Sequence, residues 1–259
     1  MAMFSLAGRS AFVTGAGGGL GSAVAAAFAR QGADVALADV NVDAAASRAA
    51  ELAREHPDRT VTAVSLEVTD PQSVSDAFAR ARSEIGAIDV LANVAGIGHL
   101  VRFEEMTFEE WRHMLAVHLD GTFLCTREAI GPMLANRFGR IICTSSIVAT
   151  TGVSYEVHYT AAKGGIEGMV RALAREVASR LVTVNSIAPG YFDTPLNDLA
   201  PKEMVENLVR NVPVGRMGDP AEIGALAVYL ASNEAAYLTG QVISPNGCFS
   251  YGYADQQPI

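Results

Sequence analysis

The chain is poor in positive charge, in cysteine and in long apolar runs. Nineteen lysines and arginines stand against 28 aspartates and glutamates in 259 residues, a formal net charge of −9. No Lys/Arg cluster interrupts that balance, which argues against a nucleic-acid footprint or a polybasic patch for an anionic membrane. The three cysteines, Cys125, Cys143 and Cys248, are widely spaced and contain no CxxC pair. That argues against structural disulfides and bound metal, and for a reducing compartment. No stretch approaches the length of a membrane span. The N-terminal MAMFSLAGRS is too short in its apolar run for a secretory signal. The expectation is a soluble cytoplasmic protein. Linkers, repeats and low-complexity segments are missing too, so a single domain over residues 1–259 is expected.

What is present is an alternation. Half of the residues are apolar and 18% are charged, a globular composition. Apolar runs at 11–14, 34–39, 61–66, 88–94, 139–146, 182–188 and 240–244 read as strands, several of them apolar throughout as strands covered on both faces are. Helical patterns at 19–31, 41–56, 71–85, 107–136 and 154–179 separate the first six. Asp70-Pro71 and Asp219-Pro220 have the form of helix starts. Strand–helix alternation implies right-handed crossovers. The fold class is therefore α/β, a doubly wound, seven-stranded, mostly parallel sheet with helices on both faces. The irregular stretch 189–218 is long for a loop and is expected to be a substrate-binding lid.

TGAGGGLG (14–21) follows the first strand and opens the first helix. Gly15, Gly19 and Gly21 let the backbone turn tightly and approach a pyrophosphate, with Leu20 between them and the helix N-terminus facing the charge. In this strand–turn–helix context the pattern reads as the dinucleotide site of a Rossmann fold, with a close-packing turn as the alternative. Asp39 ends the second strand, with Val40 after it. A carboxylate there accepts from both adenosine ribose hydroxyls and repels a 2′-phosphate. No Arg or Lys lies between Thr14 and Val24 or immediately after Asp39, so NAD is expected over NADP; a merely solvated Asp39 at a strand end is the alternative.

YEVHYTAAK (155–163) places Tyr155, Tyr159 and Lys163 four residues apart, on one helical face. Ser146 lies 13 residues before Tyr159. With the glycine motif, these residues resemble the short-chain dehydrogenase/reductase family, in its 3-oxoacyl-reductase-like subgroup. NVAG (93–96) resembles the family's NNAG, and PGYFDT (189–194) its nicotinamide-contacting PGxxxT. The resemblance implies cofactor contacts from Asn93, Ala95, Gly96, Pro189, Gly190, Phe192 and Thr194. It adds Glu67 and Val68 near the adenine, and Tyr159 and Lys163 at the nicotinamide ribose. It implies a homotetramer and catalysis by Ser146, Tyr159 and Lys163. A phenol has an ordinary pKa of about 10, and a nearby ammonium favours its phenolate. Lys163 is expected to lower the Tyr159 pKa so that it takes the alcohol proton, or returns it in reduction. Ser146 would hydrogen-bond the substrate oxygen.

Two departures stand out. His118, in AVHLDGTF, occupies the place of the family's fourth catalytic residue, an asparagine. There a helix kink frees a backbone carbonyl for a water in the proton relay, so activity is expected to survive. A purely structural His118 is the alternative. SPNGC (244–248) replaces the usual VDGG, leaving Cys248 as a packing residue or a reactive thiol. Gly98, His99, Val148, Tyr155 and Tyr191 are the substrate-pocket candidates, with Tyr155 alternatively a packing residue and His99 alternatively solvated. No arginine cluster suits an anion, so a neutral secondary alcohol or ketone is expected. A 3-oxoacyl thioester reductase and a catalytically idle NAD-binding regulator are the competing readings.

Overall fold

The computed structural model describes residues 3–194 and 202–249. Seven strands form one sheet: β1 (Ser10–Thr14), β2 (Asp34–Asp39), β3 (Val61–Ser65), β4 (Val90–Asn93), β5 (Gly139–Thr144), β6 (Val182–Ile187) and β7 (Val242–Ile243). Their spatial order is β3-β2-β1-β4-β5-β6-β7. Every pairing is parallel, so the sheet is parallel throughout rather than mostly. The chain winds outward from β1 to β3, then returns to place β4 beside β1. That reversal opens a crevice at the C-terminal ends of β1 and β4, where such sheets bind ligands.

The helices are α1 (Gly19–Arg30), α2 (Val42–Glu55), α3 (Pro71–Ile85), α4 (Phe108–Leu115), α5 (Gly121–Asn136), α6 (Val148–Thr151), α7 (Val157–Val177), α8 (Lys202–Arg210) and α9 (Pro220–Ala231). Strand residues alternate between two apolar layers. Val13, Leu37 and Ala92 face α1, α2 and α9. Phe12, Ala38 and Leu91 face α3, α5 and α7. Within the second layer Phe12 stacks on Phe78, ring centroids 4.1 Å apart.

The helix starts follow local chemistry. Asp70 accepts from the Gln72 N–H ahead of Pro71. Thr107 and Glu110 form a capping box on α4, as do Asp219 and Glu222 on α9. Each satisfies N–H groups that an uncapped helix leaves without partners.

Four boundaries differ from those expected. The 107–136 segment is two helices joined by a π-helical turn, Ala116–Asp120. The 154–179 segment becomes helical only at Val157, because Tyr155 sits in left-handed backbone with φ +69°. Tyr155 therefore precedes the helix that carries Tyr159 and Lys163. The fifth strand stops at Thr144, which leaves Ser146 on the loop beyond it. The 189–218 stretch contains α8, while residues 195–201 lie outside the described residues, as does the tail YGYADQQPI.

Candidate active site

The glycine loop runs from β1 into α1 through close backbone approaches. A Cβ on Gly15, whose φ is +66°, would lie 2.7 Å from the Ala95 Cα. On Gly21 it would lie 2.1 Å from the Gly15 carbonyl oxygen. Gly18 faces open space instead, with nothing within 4 Å of its virtual Cβ. Gly18 caps α1 without a side-chain hydrogen bond, and the first turn holds no acidic residue. Bare N–H groups and clear space at this N-terminus fit a dinucleotide's pyrophosphate. Thr14 ties the loop to NVAG, its Oγ1 accepting from the Val94 and Ala95 N–H groups at 2.9 and 3.0 Å. Asn93 is buried and donates to Thr126 Oγ1 at 3.1 Å, which fixes β4 against α5.

Asp39 stands beside the loop at the end of β2. Its two oxygens accept from the Gly17 and Asn41 N–H groups, each at 2.8 Å. A carboxylate has further lone pairs, so this arrangement orients Asp39 without exhausting it. Val40 is exposed. Glu67 accepts from Thr69, while Val68 is buried and packs near Gly121. Neither Glu67 nor Val68 lines the large cavity described below.

Ser146 follows β5, and Tyr159 and Lys163 lie one turn apart on α7. Ser146 is hydrogen-bonded to the Tyr159 side chain. Lys163 is buried, and its Nζ donates to the Thr144 carbonyl at 2.7 Å, 5.4 Å from the Tyr159 ring centroid. The expected lowering of the tyrosine pKa does not occur in the protein alone. Burial, then the Glu156 carboxylate, pushes Tyr159 above the usual phenol range, and the Ser146 hydrogen bond only partly opposes them. Burial also lowers Lys163 to about 7. The cause is shared: both charged forms lose water in this site. At neutral pH Tyr159 therefore holds its proton, as a general acid for ketone reduction must.

His118 lies inside the π-helical turn and is buried. Its Nε2 lies 2.9 Å from the Ile97 carbonyl and 3.1 Å from the Ile97 N–H, while Nδ1 is buried without a partner. One ring nitrogen can serve only one of those two groups in a given tautomer. The ring stands edge-on to Tyr159, centroids 5.1 Å apart. A Cβ on Gly96 would come within 2.5 Å of its Cε1, so glycine there admits the imidazole. The His118 carbonyl already accepts from Thr122 Oγ1 at 2.6 Å, so the carbonyl expected to serve the relay is partly engaged.

Burial, reinforced by Lys163, holds His118 well below the usual histidine range, and burial also lowers His158. The unfolded histidines take up protons near their ordinary pKa of about 6.5, before the folded ones do. Stability contributed by the neutral rings is present above that value and is lost as pH falls toward the folded pKa values. Each histidine adds at most about 1.4 kcal/mol per pH unit within this window. His118→Asn should therefore flatten the acid limb of a stability–pH curve from equilibrium denaturation. An unchanged limb would show that His118 does not resist protonation in the folded protein.

A cavity of about 1040 Å³ opens beside Ser146 and Tyr159. All five substrate candidates, Gly98, His99, Val148, Tyr155 and Tyr191, line it. So do Leu20, Pro189, Gly190, Phe192 and Thr194 from the cofactor set. Gly15, Gly19, Gly21, Asp39, Val40, Asn93, Ala95, Gly96, His118 and Lys163 are not among its lining residues. His99 is paired with Glu110 at 3.0 Å. Sequence reading missed Glu156, whose position at the start of α7 suggests an ordinary N-terminal acid. It makes no capping hydrogen bond and faces the cavity. Cys125 and Cys143 are buried, and burial pushes both thiols up to about 12, so neither is a nucleophile. Cys248 is exposed. No helix among the described residues is long and apolar enough to cross a membrane.

Known proteins share this arrangement across nearly the whole chain. A family model described as Enoyl-(Acyl carrier protein) reductase matches residues 15–250. Nodulation protein G of Rhizobium sp. (strain N33) is 39% identical over 95% of this chain and 98% of its own. The 3-oxoacyl-[acyl-carrier-protein] reductase FabG of Escherichia coli (strain K12) is 36% identical over 93% and 96%. A solved structure from Sinorhizobium meliloti 1021, described as a short-chain alcohol dehydrogenase, superposes with TM-score 0.90 at 32% identity, covering 95% of this chain and 98% of that one. Another, from Beutenbergia cavernae, described as an NAD(P)-dependent gluconate 5-dehydrogenase with bound NADP, superposes with TM-score 0.89 at 35% identity and the same coverage. The glycine crevice, the Ser146–Tyr159–Lys163 cluster and this similarity in sequence and fold lead to one conclusion: the chain belongs to the short-chain dehydrogenase/reductase family, as an oxidoreductase of its 3-oxoacyl-reductase-like branch.

Proposed function

We propose that the protein is an NAD-dependent dehydrogenase that interconverts a neutral secondary alcohol and its ketone. The observation carrying this reading is the placement of Ser146 and Tyr159 on the wall of a cavity whose described lining contains no lysine or arginine, with the buried Lys163 Nζ 5.4 Å from the Tyr159 ring centroid. Gly15, Gly19, Leu20 and Gly21 would cradle the pyrophosphate, and Asp39 and Val40 would hold the adenosine ribose. Glu67, Val68, Asn93, Ala95 and Gly96 would flank the adenine half. Pro189, Gly190, Phe192, Thr194, Tyr159 and Lys163 would hold the nicotinamide half. The bound cofactor supplies the hydride acceptor or donor. Ser146 orients the substrate oxygen, Tyr159 moves its proton, and Lys163 supports the charge that develops. The 189–218 segment would cover the site as a lid. Assembly as a cytoplasmic homotetramer accords with the family resemblance.

Asp39 is the reason to prefer NAD. With NADP a 2′-phosphate would meet a carboxylate, and the sequence has no Arg or Lys between Thr14 and Val24 or immediately after Asp39 to offset it. The names of the FabG relatives, and the NADP bound in the Beutenbergia protein, favour the competing reading of a 3-oxoacyl thioester reductase. Cofactor kinetics discriminate the two. The unaltered protein should strongly prefer NAD(H). Asp39→Ala should shift the preference toward NADP(H) by about ten- to a hundredfold, the scale of a charged hydrogen bond. Comparable catalytic efficiency with NADPH in the unaltered protein would overturn the assignment.

A further inference from the structure

Glu156 has no role in the chemistry above, yet its carboxylate opens onto the reaction cavity. It has no side-chain hydrogen bond to the helix it precedes and no ion pair among the described residues. Burial is the one cause acting on its acidity and lifts its pKa to about 6. At neutral pH it is therefore ionised and poorly solvated, a state that a hydrogen-bond donor relieves. Its field reaches the Tyr159 phenol, where it is the strongest charge opposing ionisation. Glu156 lines the same cavity as Ser146 and Tyr159, so a substrate held there presents its substituents to this carboxylate. Glu156 is the one carboxylate among the described lining residues, so no other anion there could answer such a donor.

We propose that Glu156 determines substrate specificity, accepting a hydrogen bond from a second donor on the substrate, a hydroxyl or an ammonium close to the carbinol, and turning anions away. This rests on the dehydrogenase reading; it narrows the neutral substrates to diols and hydroxyketones and extends the class to amino alcohols. The same carboxylate would disfavour a substrate carrying an acid beside its keto group.

The test uses four matched probes with the NADH-saturated protein: cyclohexanol, cyclohexane-1,2-diol, 2-aminocyclohexanol and 2-hydroxycyclohexane carboxylate. Affinities are measured calorimetrically for the unaltered protein, Glu156→Gln and Glu156→Leu. The unaltered protein should bind the diol or the amino alcohol about tenfold or more tightly than cyclohexanol, the scale of one hydrogen bond to a charged group, and the acid most weakly. The size of the ammonium gain against the hydroxyl gain identifies the donor. Glu156→Leu should erase the preference, and Glu156→Gln should erase any advantage of the ammonium and the penalty on the acid. The absence of a preference in the unaltered protein, including no binding at all, overturns the proposal. So does a ranking that survives both substitutions. Turnover of the bound probes with NAD+ is followed separately: selective binding without turnover counts against the dehydrogenase reading and leaves the Glu156 contact standing.

Discussion

Tyr159→Phe is expected to cut turnover about a hundred- to ten-thousandfold, the usual contribution of a positioned acid or base. Dinucleotide affinity should stay close to that of the unaltered protein. The substitution removes one oxygen and leaves the ring against His118. It also leaves Lys163 on the Thr144 carbonyl and the glycine loop untouched. Tyr155→Phe is the control. Tyr155 lines the same cavity, but its left-handed backbone puts it ahead of α7. It should lose little. Rates and NADH affinity measured on both variants decide the matter: a competent Tyr159→Phe beside an inactive Tyr155→Phe would assign the chemistry to the other phenol.

Gly21→Ala is expected to do comparable damage by another route. The added methyl would sit 2.1 Å from the Gly15 carbonyl oxygen and 3.1 Å from the Ala16 Cα. These are backbone atoms, so no side chain can rotate away. Either α1 lifts from the loop or the loop opens. Overpacking of a tight interior typically costs about 1–3 kcal/mol. Here the displaced N–H groups are also those proposed to meet the pyrophosphate. The expected result is a lower melting temperature together with a large loss of NADH affinity. Gly18→Ala, into open space, should cost far less in stability. Calorimetric melting and NADH titration of the two variants test this, and equal behaviour would refute the close-packed role of Gly21.

Much of this was legible before any coordinates. The glycine spacing, the strand–helix alternation and the Asp-Pro helix starts are local signals, and the fold places them where those signals imply. The five pocket candidates meet because the loops after β4, β5 and β6 converge at one edge of the sheet. What escaped depends on tertiary environment. Helical spacing put Tyr155 on the face of Tyr159, but its positive φ leaves no mark in sequence. The family resemblance implied a kink at His118, and the turn stands there; its π-helical form escaped, because the extra residue does not break the apolar pattern. Glu156 looks like any acid at a helix start until the cavity beside it is seen. The acidities of Tyr159 and Lys163 could not follow from their spacing, because burial, followed by Glu156, governs the first and burial governs the second.

The central claim is hydride transfer between a nicotinamide and a secondary carbon, with Tyr159 moving the proton. The direct measurement is turnover over a panel of secondary alcohols with NAD+, and of the matching ketones with NADH, followed by nicotinamide absorbance in the unaltered protein and Tyr159→Phe. The account predicts turnover with members of the panel in both directions, abolished by Tyr159→Phe while NADH still binds. Saturable NADH binding with no turnover in either direction would contradict it and leave a nucleotide-binding protein that does no chemistry.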